Sequence, residues 1–219
     1  QPLKIVFNTH WHGDHTGGNE NLGKTGVVIV AHENVRRRMS VDQFIEAFKM
    51  KVPASPAVAL PVVTFTEAVS FHLDGVDVEA IHVANAHTDG DAILWFKPAN
   101  VVHMGDCFFN GMYPFIDVSS GGSINGMIAA DEQVLAKIDA NTKVIPGHGP
   151  LGDKASLQAF HDMLVKVRDN VKKGVAAKKT RDQVLASKPT GELDGVWGKG
   201  FLKPEDFAGM VYTDLTRKK

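Results

Sequence analysis

Short apolar runs alternate with polar, glycine- or proline-bounded breaks along the chain, and their spacing sets the predicted elements. "LKIVFN" (residues 3–8) and "VVIVA" (27–31) read as buried strands. "ENVRRRMSVDQFIEAFK" (33–49) is helical in composition, with a loose apolar pattern. "VPASPAVALP" (52–61) holds three prolines and is predicted to be a loop. A β region follows: "VVTF", "VSFHL", the turn signal Asp74-Gly75, and "VDVEAIHV". "AILWF" and "VVHM" flank the turn-like "KPAN". "SINGMIAADEQVLAKI" reads as a helix capped by Ser123, and "KVIP" as a further strand. From Asp153 onward the pattern is mainly helical, broken by a glycine-rich stretch over 191–200. Interleaved strands and helices predict a layered α/β fold.

Composition narrows the function classes. The 219 residues suffice for one large domain or two small ones, and 43% apolar with 22% charged content is ordinary for a globular protein. A net charge of −1 gives no general pull toward nucleic acid or a membrane surface, so neither partner is expected. Arg36, Arg37 and Arg38 read as a solvated helix face, with anion binding as the alternative. Cys107 is the single cysteine, which excludes an internal disulfide and leaves the compartment undetermined. No apolar run approaches the roughly 18 residues of a membrane span. There is no signal peptide, and the chain opens on Gln1-Pro2 rather than methionine, as a mature, trimmed or truncated product would.

The stretch "NTHWHGDHTGGN" (8–19) changes the picture most. His10, His12, Asp14 and His15 form H-x-H-x-D-H directly after the first strand. His87, in "AHTDGD", Asp106, in "GDCFF", and His148, in "PGHGP", each follow a later predicted strand. Four strand ends thus deliver imidazoles or carboxylates, bordered by small residues that leave room for ions and water. Imidazole and carboxylate without thiolate suit zinc, and also iron or manganese. Seven ligands exceed one tetrahedral ion and suit two ions sharing a carboxylate.

H-x-H-x-D-H with the later His, Asp and His resembles the metallo-β-lactamase fold superfamily over residues 3 to about 150. The resemblance implies an αββα sandwich with its metal site along one sheet edge. It implies one domain over 1–219, with a metal-site core over 3–150 and a helical part over 151–219. By the same resemblance His10, His12 and His87 hold a first zinc ion, Asp14, His15 and His148 a second, and Asp106 bridges them, as in the glyoxalase II and RNase Z type members. The implied activity is hydrolysis of a small carbonyl substrate (ester, thioester, lactone or β-lactam-like) by a hydroxide between the two ions. Asp14 is the candidate to orient that nucleophile or accept its proton. The alternatives are a mononuclear iron oxygenase acting on a sulfur substrate, and a truncated metal-binding fragment with little activity.

The chain departs from the pattern in places. The common zinc β-lactamases use a cysteine at the second site and a lysine three residues later. Here Cys107 lies beside Asp106, and Asn110 stands at the lysine position. Those enzymes also generally lack a histidine after the motif aspartate, where this chain has His15. These differences count against potent β-lactamase activity. Only "LKIVF" precedes the motif, where the family has several strands. The N-terminal strands therefore read as short or missing, and either the sheet face near residues 3–7 and 27–31 self-associates or the chain is a shortened form of a longer, more stable enzyme.

Other candidates have ordinary readings. Cys107 is expected to be a small buried side chain, and successive strand residues point to opposite faces, which favours Asp106 as the ligand. His103 is expected in the core or behind the site, and His32, His72, His82 and His161 in packing or at the surface. Asp89 and Asp91 either orient His87 or shape a turn. Trp95, Phe96, Phe108 and Phe109 fill the core. Residues 119–123, "SSGGS", form either a mobile lip of the site or a helix entry.

Overall fold

The computed structural model describes residues 2–73 and 75–217. Strand β1 (Ile5–Asn8) leads into two short helices, α1 (Gly13–Thr16) and α2 (Asn19–Gly23). Strand β2 (Val28–His32), helix α3 (Glu33–Met39), the hairpin β3 (Gln43–Ile45) and β4 (Met50–Val52), and strand β5 (Val63–Phe65) follow. Next come β6 (Ala68–Leu73), β7 (Val76–His82), β8 (Ala92–Phe96) and β9 (Val101–Phe109). Helix α4 (Ile124–Leu135) and strand β10 (Lys143–His148) precede the C-terminal helices α5 (Lys154–Ala176), α6 (Arg181–Ala186), α7 (Asp194–Trp197) and α8 (Pro204–Thr216).

Two sheets carry the architecture. One has the order β1-β2-β5, all parallel; the other has the order β10-β9-β8-β7-β6. They face each other through Phe7, Val30 and Phe65 on one side and Phe71, Ala80 and Leu94 on the other. Helices α2 and α3 cover the small sheet. Helices α4 and α5 cover the large sheet, with Ile124, Met127, Leu157 and Phe160 in one core with Met104 and Phe108, and α8 packs on α5. This is the αββα order the motif implied. Ser123 caps α4 as expected, and Asp153 and Ser156 form a reciprocal capping box on α5. The β6–β7 hairpin is present, but Asp74 of the predicted turn lies outside the described residues. Strand β1 lies at one edge of its sheet, with Leu3 65% and Val28 37% exposed beside it. Among the described residues no helix is long and apolar enough to cross a membrane.

One predicted element is corrected. The helix read over 33–49 ends at Met39, and residues 43–52 form a hairpin instead. Val35 and Met39 make a buried i, i+4 stripe, but its continuation falls on Asp42 and Gln43. The pattern then alternates, with Phe44 40% exposed and Ile45 buried, as in a strand. Lys49 closes the turn in the left-handed region, at φ 51°.

Helix α4 carries an unusual group. Asp131 is fully buried, and neither carboxylate oxygen has a hydrogen-bond partner among the described residues. Burial pushes its carboxyl well above the ordinary value of 3.8, so the folded chain keeps it protonated. The unfolded chain ionises the same group near 3.8, so above that pH the folded state holds the extra proton. Stability is therefore lost as pH rises, until the folded carboxyl itself ionises. As pH rises above about 4, Asp131→Asn should gain stability over the parent, by up to about 1.4 kcal/mol per pH unit in urea unfolding, until the folded carboxyl ionises. Parallel pH profiles for parent and variant would contradict this reading.

Candidate metal centre

The site begins at the C-terminal end of β1. A reciprocal carboxamide pair pins the loop that follows: Asn8 Nδ2 donates to Asn19 Oδ1 at 3.0 Å, and Asn19 Nδ2 donates back to Asn8 Oδ1 at 2.8 Å. His12 is extended and caps α1, so His10 and His12 turn inward while Asp14 and His15 occupy the short helix itself. His87 is buried in the β7–β8 connection, and His148 is the last residue of β10.

Asp106 does not follow its strand, as the sequence suggested; it lies inside β9, which continues to Phe109. A local kink aims it. Gly105 adopts φ +52°, and the β9–β10 register shifts beside it. Asp106 turns to the histidines while Cys107 enters the core, where burial raises its thiol well above the ordinary value. Across from Asp106, Gly147 has no room for a side chain, since a Cβ there would overlap Asp106 Oδ1.

All seven predicted residues come together. The donor atoms of His10, His12 and His87 lie within 4.8 Å of one another, as do those of Asp14, His15 and His148, and those of His10, His15 and Asp106. Asp106 sits between the groups. Its Oδ1 is 3.0 Å from His15 Nε2, and its Oδ2 is 3.5 Å from His87 Nε2 and 3.4 Å from His148 Nε2.

Partners behind the rings fix the tautomers. His12 Nε2 donates to Asp117 Oδ2 at 3.0 Å, and His87 Nδ1 donates to the Phe115 carbonyl at 2.8 Å. The inward nitrogens, His12 Nδ1 and His87 Nε2, then face each other as bare lone pairs only 2.8 Å apart. His10 Nε2 points into the same space, buried and without a hydrogen-bond partner. Three converging lone pairs repel unless a cation lies among them, so the donor set fits a metal ion. Imidazole and carboxylate donors without thiolate suit zinc, iron or manganese.

The two halves differ electrostatically. Burial holds His10 well below its ordinary value and His87 at about 4, which keeps both rings neutral. Burial works the same way on His15, but bonds and charge from Asp106 and Asp14 raise it to about 9. The same two carboxylates raise His148 to about 10. Bonds from His148 and His15 lower Asp14 in turn. Asp106 stays well below the carboxylate range despite burial, because four imidazoles surround it: His10 and His87 face it, and His148 and His15 bond it.

Asp117 and Phe115 are the residues that sequence reasoning missed. Asp117 accepts from His12, from Ser119 Oγ and from the Ser120 amide; against burial, these hold its carboxyl at about 2. The Phe115 ring stacks on His12 at 5.6 Å, and Phe109 stacks on His148 at 5.1 Å. Residues 119–123 are a helix entry, in which the Gly122 amide donates to the Asp117 carbonyl and the Ser123 amide to the Ala86 carbonyl. Asp91 shapes a turn by accepting from the Thr88 amide and hydroxyl, both at 2.7 Å, and Asp89 pairs with Arg38. Arg36 bonds the Pro61 carbonyl and Arg37 pairs with Asn34 and Glu33, so the arginine run is spent within the fold. His32 stacks on His82 at 3.8 Å, His72 pairs with Asp77 at the surface, and His161 pairs with Asp162. His103 Nδ1 accepts from the Gly105 amide.

Comparisons with known proteins agree with this geometry. The family model of the metallo-beta-lactamase superfamily matches residues 1–157. A hydroxyacylglutathione hydrolase of Nitrosococcus oceani is 33% identical over 147 residues, covering 65% of this chain and 47% of that protein. The chain spans about half the length of the curated relatives it matches. Among solved structures, BLEG-1 B3 metallo-beta-lactamase aligns with a TM-score of 0.64 at 19% identity, over 74% of this chain and 78% of that one. TTHA1623 in a di-iron-bound form aligns with a TM-score of 0.56 at 25% identity, over 73% and 75% of the two chains. Sequence match and shared fold lead to one conclusion: the chain belongs to the metallo-beta-lactamase superfamily.

Proposed function

We propose that this chain is a dinuclear zinc hydrolase of a small carbonyl substrate, with a thioester as the first choice among ester, thioester, lactone and β-lactam-like compounds. The observation that carries the metal reading is the pair of bare imidazole nitrogens, His12 Nδ1 and His87 Nε2, 2.8 Å apart beside the unpartnered His10 Nε2. The similarity to a hydroxyacylglutathione hydrolase supports a thioester. His10, His12 and His87 would hold one ion, Asp14, His15 and His148 the other, and Asp106 both. Two such ions supply a hydroxide at neutral pH and polarise a carbonyl oxygen.

The chain's own groups set the rest. Asp117 and the Phe115 carbonyl orient His12 and His87 from behind. Asp14 is 57% exposed at the mouth, with His148 Nε2 at 3.2 Å and His15 Nε2 at 3.3 Å. In this reading Asp14 would orient the attacking water or accept its proton. No nucleophilic cysteine takes part, because Cys107 is a buried thiol.

A chelator should abolish turnover on a panel of thioester, lactone, β-lactam and phosphodiester substrates, and zinc should restore it. Metal analysis of protein purified without added metal should give about two zinc ions per chain. The di-iron form of TTHA1623 makes iron the alternative outcome. Undiminished turnover in metal-free protein would overturn the proposal.

A further inference from the structure

A second recess is lined by Asp117, the residue that also bonds His12. It is a cavity of about 420 Å³ between the turn of the β3–β4 hairpin, residues 116–119, and helices α6 and α8. That volume falls in the range of small-molecule sites. Phe48, Ile116 and Met210 give it apolar walls. Phe48 is 45% exposed and rests on Phe115 at 4.7 Å.

Its charged walls sort into spent and unspent groups. Glu46 pairs with Lys49 at 3.0 Å, and Asp117 is taken by His12 and two serines. Arg181 and Asp206 remain. Both line the cavity, both are exposed, and neither has a side-chain hydrogen bond or ion pair among the described residues. The Arg181 guanidinium lies against Gly209, where a Cβ would collide with it. Asp206 sits one turn earlier on α8, on the same helix face. An unpaired cation and an unpaired carboxylate thus share one cavity with apolar walls, without neutralising each other. Complementarity to that arrangement requires a ligand with an anionic end, a cationic end and an apolar body.

We propose that this recess binds a zwitterion, an α-amino acid or short peptide with an apolar side chain, with Arg181 holding its carboxylate and Asp206 its ammonium group. None of the seven candidate metal ligands lines the recess.

Calorimetric titration of the zinc-loaded protein tests this with three probes: glycyl-leucine, its N-acetyl form, which keeps only the carboxylate, and glycyl-leucinamide, which keeps only the ammonium. The dipeptide should bind tightest, with each analogue weaker by about tenfold or more. Arg181→Gln should abolish the preference for dipeptide over amide, and Asp206→Asn the preference over the acetylated form. Equal affinities for the three probes, or no binding, would overturn the proposal. So would unchanged rankings in both variants, the result expected if the metal centre itself chelated the dipeptide.

Discussion

Asp106→Ala should strip the protein of at least half its metal and lower hydrolysis by more than about 100-fold, because losing even an outer partner of a metal ligand costs 10–100-fold. Among the described residues Asp106 is the one carboxylate near both histidine groups, 3.0 Å from His15 and 3.5 Å from His87. Its removal leaves each group short of a donor and of a negative charge. Cys107→Ser, one residue on, should leave metal content and turnover near the parent values, since that side chain packs in the core. Metal stoichiometry by mass spectrometry and kcat/KM on the best substrate check both. The reverse pattern, or a metal–sulfur distance near ~2.3 Å, would transfer the ligand role to the cysteine.

Gly147→Ala should damage the site without altering any donor. A Cβ at this position overlaps Asp106 Oδ1 and lies 2.8 Å from the Gly105 carbonyl carbon and 2.9 Å from the Asp106 amide. Two of these three neighbours are backbone, so no rotamer change relieves the clash. The expected cost is about 1–3 kcal/mol of stability, as for other overpacked sites, with metal affinity reduced as Asp106 is displaced. Gly195→Ala is the control, since a Cβ there meets nothing within 4 Å. Urea unfolding and metal titration of both variants measure the difference. Native metal affinity in Gly147→Ala would show that β10 can shift away without disturbing Asp106.

The parts of the fold written in local patterns were legible in the sequence. Ser123 and Asp153 announce their helices by capping, and the strands from 62 to 96 stand out as apolar runs between turn signals. The 43–52 hairpin was hidden because its composition suits a helix. What decides it is the failed stripe at Asp42 and Gln43 and a left-handed lysine, not propensity. At the site, H-x-H-x-D-H is compact enough to read directly, and the later His87, Asp106 and His148 stand out by their glycine-rich surroundings. Asp117 carries no such mark. It meets His12 across 105 residues of sequence, in a stretch that reads only as the approach to α4. The kink at Gly105, which seats Asp106 within a strand rather than after it, likewise depends on the neighbouring β10 register.

The convergence of loops at the metal centre has a consequence for how the chain resists unfolding. With one cysteine it has no internal disulfide to tie distant segments. The seven donors, drawn from residues 10 to 148, nonetheless meet within a few ångströms. A cation shared among them would close the same long loops a covalent cross-link does, and would remove conformational freedom from the open chain in the same way. Unlike a disulfide, this tie has a strength that grows with the logarithm of free metal concentration. Zinc has no redox chemistry, so a zinc tether would hold equally in reducing and oxidising surroundings and slacken where metal is scarce.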